Sequence, residues 1–186
     1  SCIRTPTEGM VVKTDTDRAD KSRKMVFEML AADMRGREEG PDEASDFWVW
    51  AESMGISGSD RFAPKFDHSP HPELVEGEGE DGDRATRQAH GEAAYFDISN
   101  PAIAVNMDAC IACNACVRAC REVQVNDVIG MGSRGSHSVP VFDLADPMGL
   151  STCVTCGECV QACPTGALFE KTLMDEACKT REIKEF

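Results

Sequence analysis

Cys110-Ile111-Ala112-Cys113-Asn114-Ala115-Cys116-Val117-Arg118-Ala119-Cys120 and Cys153-Val154-Thr155-Cys156-Gly157-Glu158-Cys159-Val160-Gln161-Ala162-Cys163-Pro164 are the two stretches that decide how this chain is read. Each spells C-x2-C-x2-C-x3-C, and a proline closes the second. A cubane iron–sulfur cluster needs four thiolates at its iron corners. Three cysteines separated by two residues can wrap one face of the cube in a tight loop, with backbone N–H groups aimed at the sulfurs. The fourth follows after a helical step of three residues, which turns it away from the others. In two-cluster ferredoxins that fourth cysteine ligates the other cluster. The spacing therefore predicts two [4Fe–4S] clusters with crossed ligands. Cys110, Cys113, Cys116 and Cys163 would hold the first, and Cys153, Cys156, Cys159 and Cys120 the second.

Zinc and disulfides are the competing uses of cysteine. Zinc takes four ligands in all, usually as separated pairs, so a C-x2-C-x2-C triplet suits it poorly. Disulfide frameworks belong to small secreted domains, and cysteines two residues apart are seldom bridged to each other in a stable scaffold. A repeated motif is also much harder to meet by accident than a single one.

The repeat extends beyond the cysteines. Laying Met107–Cys120 on Leu150–Cys163, an offset of 43 from Cys110 to Cys153, superposes Val117 on Val160 and Ala119 on Ala162. Such self-similarity predicts an α+β, ferredoxin-like fold over 97–170 with pseudo-two-fold symmetry and one cluster per half. Ile103 and Val105 alternate with smaller or polar neighbours and read as a strand entering the first run. Cys116–Val123 and Cys159–Cys163 read as short helices, and Pro164-Thr165-Gly166 as a turn. Val128–Met131 and Val139–Phe142 read as a hairpin across a Gly- and Ser-rich turn. Ile111, Val154, Val117 and Val160 are expected to keep water from the clusters.

Four further stretches complete the chain. Residues 1–14 contain Gly9-Met10-Val11-Val12, a strand-like piece. Residues 15–60 read as helical: Asp17 or Asp20 caps a first helix with Met25, Val26, Met29 and Leu30 on its apolar face and Gly36 as its stop. Pro41 to Met54 is the second helix, anchored by Phe47, Trp48 and Trp50, which are aromatic packing rather than redox relays. Residues 61–96 run from Pro64, Pro70 and Pro72 into an acidic, glycine-interrupted segment, Glu73 to Asp83, that cannot bury apolar surface and reads as a solvated insertion. His68, His71 and His90 lie in or beside it and read as exposed. Residues 171–186 form a polar connector. The start at Ser1 and the polar end fit a segment of a longer chain.

The 186 residues carry a formal net charge of −14, and 41% of them are hydrophobic. The charge argues against nucleic acid and anionic membrane surfaces as partners. No apolar run reaches the length of a membrane span, and no signal peptide is expected from these residues. Cysteines dedicated to clusters point to a reducing compartment, the cytoplasm.

Cys110 to Asp127, with Arg121-Glu122-Val123-Gln124-Val125-Asn126, then Asp146-Pro147-Met148-Gly149, and Cys156-Gly157-Glu158-Cys159-Val160-Gln161-Ala162-Cys163-Pro164-Thr165-Gly166-Ala167-Leu168 closely resemble the alpha subunit of NAD-dependent, molybdenum-containing formate dehydrogenases. The opening, Cys2-Ile3-Arg4-Thr5-Pro6-Thr7-Glu8-Gly9-Met10-Val11-Val12, resembles the end of that family's plant-type [2Fe–2S] domain, with Cys2 matching its fourth ligand. The resemblance implies an electron relay. It would run from a molybdopterin formate-oxidising centre, on a domain downstream of Phe186, toward a flavin/NAD-reducing partner subunit. Complex I large subunits and iron hydrogenases share this front end. They carry a cluster with one histidine and three cysteines after the first helix, and Ala31 to Pro41 holds neither residue type. The other three [2Fe–2S] ligands are absent too, so Cys2 alone leaves that set incomplete. Cys178 reads as a free thiol. No catalytic residue is expected in this stretch, and no G-x-G-x-x-G turn suits NAD. A free-standing dicluster carrier is the alternative class; the helical stretch at 15–60 speaks against it.

Overall fold

A computed structural model describes residues 5–34, 36–38, 40, 42–59, 61–62, 96–135 and 138–174. Cys2, Cys178, the three histidines, the acidic segment and the connector beyond Met174 lie outside these residues.

The cluster-bearing part runs strand–helix–strand twice. Strand β2 (Ile103–Asn106), helix α3 (Ala115–Arg118) and strand β3 (Ile129–Gly132) are followed by strand β4 (Val139–Phe142), helix α4 (Glu158–Gln161) and strand β5 (Leu168–Glu170). The outer strands pair antiparallel, with Ala104 opposite Phe169, and the inner strands form the expected hairpin, with Gly130 opposite Val141. A two-residue strand, β1 (Phe96–Asp97), adds to the free edge of β2 and gives the order β1-β2-β5. Helices α3 and α4 pack on each other. All four residues of β2 are buried, so the strand is covered on both faces rather than alternating as its sequence suggests. Val105, Val117, Val128, Ile129, Phe142, Met148 and Leu168 form the core together with Cys116, Cys120 and Cys159.

The segment before β2 is fastened to the segment before the second cysteine run. The Asp97 carboxylate accepts N–H bonds from Ser99 at 2.8 Å and Met148 at 2.7 Å. Ser99 Oγ accepts from Gly149 N at 2.8 Å. Asn100 Nδ2 donates to Thr155 Oγ1 at 3.2 Å, inside the second run itself.

The N-terminal part holds two helices, α1 (Asp17–Asp33) and α2 (Asp46–Ser53). The cap of α1 is Thr16, whose hydroxyl accepts from Ala19 N at 3.3 Å; the expected caps, Asp17 and Asp20, sit in the first turn, where their charge favours the helix N-terminus. The packed face of α1 is Phe27, Leu30, Ala31 and Met34, while Met25, Val26 and Met29 are exposed. Helix α2 starts five residues later than expected, because the chain from Asp42 to Ser45 turns first, with Ala44 N donating to Asp42 Oδ1 at 3.0 Å. Phe47 and Trp48 are buried; Trp50 faces out at 63% exposure, since an eight-residue helix has room for one buried face only. Gly9-Met10-Val11-Val12 forms no strand: it follows a turn and is exposed. Among the described residues no helix is long and apolar enough to cross a membrane.

Candidate metal centre

The two cysteine runs adopt the same local backbone. Ala112 (φ 52°) and Thr155 (φ 56°) are left-handed, as are Asn114 (φ 67°) and Gly157 (φ 82°), each pair at the offset of the cysteines. The left-handed step reverses the chain so that a backbone N–H turns back onto the preceding thiol. Ala112 N lies 3.4 Å from Cys110 Sγ, and Thr155 N lies 3.4 Å from Cys153 Sγ. Asn114 and Gly157 then serve as the N-caps of α3 and α4, which carry the third cysteine of each run inward. Asn tolerates the left-handed region better than most residues, and Gly has no Cβ to clash.

After α3 the chain widens into a π-turn, Ala119–Val123, that contains Cys120. Sequence reading anticipated a plain helix from Cys116 to Val123; the wider turn is closed by Gln124 N donating to Ala119 O at 3.1 Å. Arg118 and Glu122 pair across its outer face at 3.0 Å. That hydrogen bond holds the Glu122 carboxyl below its ordinary range and the Arg118 guanidinium above its own.

One cavity is lined by Cys110, Cys113, Cys116 and Cys163, closed by Met107, Pro140, Thr165 and Leu168. Three thiols of the first run thus meet the fourth thiol of the second. Cys116 and Cys159 are buried, and Cys113 and Cys156 are exposed. Burial pushes the Cys116 thiol up to about 12, helped by the neighbouring thiols Cys110, Cys163 and Cys113. Burial likewise pushes Cys159 up to about 12, and its thiol neighbours are Cys153, Cys156 and Cys120. Cys153 is raised by burial, against the opposing pull of the Thr155 N–H. A buried thiol crowded by the other thiols of its set is a poor isolated acid and suits a shared positive centre. All eight described cysteines are unbridged. Among the described residues no three Cys, His, Asp or Glu side chains converge on a single-ion site. Thiols set around a cavity, rather than on one point, fit the wider spread of a cube.

The surroundings of the runs are unequal. Ala109, Cys110, Ile111, Cys163 and Ala167 pack against the α1–α2 cluster of Phe47, Trp48 and Ala51. Val117 is buried and Val160 packs against the core, but Val154 is 63% exposed and shields nothing. Its position matches Ile111, yet Ile111 is covered by the N-terminal helices and Val154 has no such cover. Sequence reading did not single out Thr165 or Pro140 as lining residues, because neither belongs to the cysteine spacing. Their nearness to Cys163 and to the hairpin was the available signal.

Residues 109–167 match the family model described as a 4Fe-4S dicluster domain. The chain is 40% identical over 89 residues to a Bacillus subtilis (strain 168) protein, YrhE, whose name assigns it provisionally as a formate dehydrogenase. The match takes in 48% of this chain and 9% of that protein. The fold is similar to an NAD+-reducing [NiFe]-hydrogenase structure in the H2-reduced state, with a TM-score of 0.60 and 19% identity, over 84% of this chain and 57% of that one. At that identity the likeness concerns the fold. Residues 109–167 therefore make up a 4Fe–4S dicluster domain, an iron–sulfur electron-transfer module.

Proposed function

We propose that this chain binds two [4Fe–4S] clusters and passes electrons between them as one segment of a larger oxidoreductase. Cys110, Cys113, Cys116 and Cys163 hold the first cluster, and Cys153, Cys156, Cys159 and Cys120 hold the second. The observation that carries the reading is the cavity in which three thiols of one run meet Cys163 of the other. The grouping of Cys120 with Cys153 and Cys156 around Cys159 supports the reciprocal set. The repeated left-handed steps and the paired outer and inner strands support a pseudo-two-fold relation between the halves.

When bound, the clusters would supply one-electron transfer. The protein's part is to fix the thiolates, aim the Ala112 and Thr155 N–H groups at sulfur, and keep water away with Val117, Val160 and Ile111. The name of YrhE supports formate oxidation as the source of electrons; a molybdopterin centre as the oxidising site, a flavin/NAD-reducing subunit as the destination and the cytoplasm as the compartment complete the proposal. Cys2 would then mark the end of an upstream [2Fe–2S] domain. Formate chemistry itself lies outside this segment.

The deciding experiment is metal analysis after anaerobic reconstitution. Two cubes require roughly eight irons and eight sulfides per chain, with two magnetically interacting reduced clusters by EPR. Stoichiometric zinc without sulfide sinks the assignment.

A further inference from the structure

We propose that Thr165 donates an O–H···S hydrogen bond to the Cys163 thiolate and so raises the reduction potential of the first cluster alone. Thr165 is only 2% exposed and lines the same cavity as Cys110, Cys113, Cys116 and Cys163. A buried hydroxyl is costly unless it has a partner. The partner here is Cys163 Sγ, 3.6 Å from Thr165 Oγ1. Between a free thiol and a hydroxyl either atom could donate. Iron ligation removes the ambiguity: a ligating cysteine is a thiolate without a proton, so the hydroxyl hydrogen must point at sulfur.

An added electron increases the negative charge on the cluster sulfurs. A fixed O–H dipole aimed at one of them stabilises the reduced state more than the oxidised one, and the potential rises. The crossing ligand of the second cluster, Cys120, has no hydroxyl at the matching position, although that cluster has its own hydroxyl contact in the Thr155 side chain, which hydrogen-bonds Cys153. The offset that places Cys163 on Cys120 places Thr165 on Glu122. Glu122 is exposed, its carboxylate is taken by Arg118 at 3.0 Å, and it has no proton to give. The two crossing ligands thus differ, and the Thr165 bond acts on the first cluster only.

This inference rests on the crossed ligand sets proposed above, and the test separates the two. Wild type, Thr165→Val and Thr165→Ser are loaded anaerobically as the full chain, assayed for iron and sulfide, and titrated by EPR at controlled potential. The expected result is that Thr165→Val moves one midpoint to a more negative value and leaves the other in place, while Thr165→Ser restores it. The Fe–S(Cys) stretching bands of the wild type should shift in deuterated water, and part of that shift should vanish in Thr165→Val. If Thr165→Val fails to load a cluster, Thr165→Ala is titrated instead and must show the same one-sided shift. Wild type that takes zinc and no sulfide overturns the dicluster reading and this inference with it. Fully loaded variants with both midpoints unchanged overturn this inference and leave the dicluster reading standing.

Discussion

Phe47 donates its backbone N–H to the carbonyl of Pro164 at 3.0 Å, which ties the first turn of α2 to the residue directly after the last cysteine of the second run. The Phe47 ring stacks on Phe27 with centroids 5.3 Å apart and meets Trp48 edge-on at 5.1 Å. The N-terminal helices are thereby joined to the wall of the first cavity through one aromatic group. Phe47→Ala removes that group from a buried site. It should destabilise the loaded chain by about 3–5 kcal/mol, seen as a lower denaturant midpoint and faster bleaching of cluster absorbance. An unchanged midpoint would mean that the helices contribute little to holding the cavity.

Gly157 and Gly166 both have positive φ, at 82° and 69°, but differ in what surrounds them. A Cβ on Gly157 meets nothing within 4 Å, whereas one on Gly166 lies 2.7 Å from Asp42 Cβ. Gly157→Ala should cost about 1–2 kcal/mol from the left-handed backbone alone. Gly166→Ala carries that cost and also forces Asp42 away, loosening the approach to α2. Limited proteolysis should cut Gly166→Ala between α1 and α2 sooner than Gly157→Ala. Equal protection in both would show that the Asp42 contact is not a constraint.

How far the sequence could be read depended on the range of the interactions. The hairpin and the strand at Ile103 were legible because hydrophobic runs and the Gly-rich turn are local signals. The cysteine spacing likewise implied crossed sets, and the cavity lined by Cys163 and the first run is the observation on which the proposed first set rests. Strand β1 was not legible: two residues carry no period, and Asp97 is buried because Met148 and Ser99, one of them far along the chain, donate to it. Trp50 and Val154 misled for a related reason. An apolar side chain looks like core until the partner that should cover it is known, and neither has one among the described elements. The Thr16 cap was hidden by two acidic residues just after it, either of which satisfies the same local rule.

The proposed crossed ligation predicts an exchange of phenotypes. Cys120→Ser should disturb the cluster nested in Cys153, Cys156 and Cys159, and Cys163→Ser the one nested in Cys110, Cys113 and Cys116. EPR of the two reduced variants should therefore differ, each retaining the signal that the other loses. Should each substitution damage the cluster adjacent in sequence, the ligand sets are parallel rather than crossed.

Removal of the metal exposes the acidity of the thiols. Cys116 and Cys159 are buried and pushed up to about 12 from 9.0, while Cys113 and Cys156 are exposed. A folded-state value above the unfolded one means that the protonated thiol is favoured by folding. The corresponding stability of the stripped chain is fully present below pH 9 and is lost as the pH climbs toward 12. At neutral pH, the stripped chain should be alkylated at Cys113 and Cys156 well before Cys116 and Cys159, read by mass spectrometry. Above pH 9 the difference should collapse together with the denaturant midpoint. The loaded chain should not share this alkaline loss, because its thiolates are already ionised on iron. Even labelling of all four cysteines at neutral pH would show instead that the cavity exists only when the metal is bound.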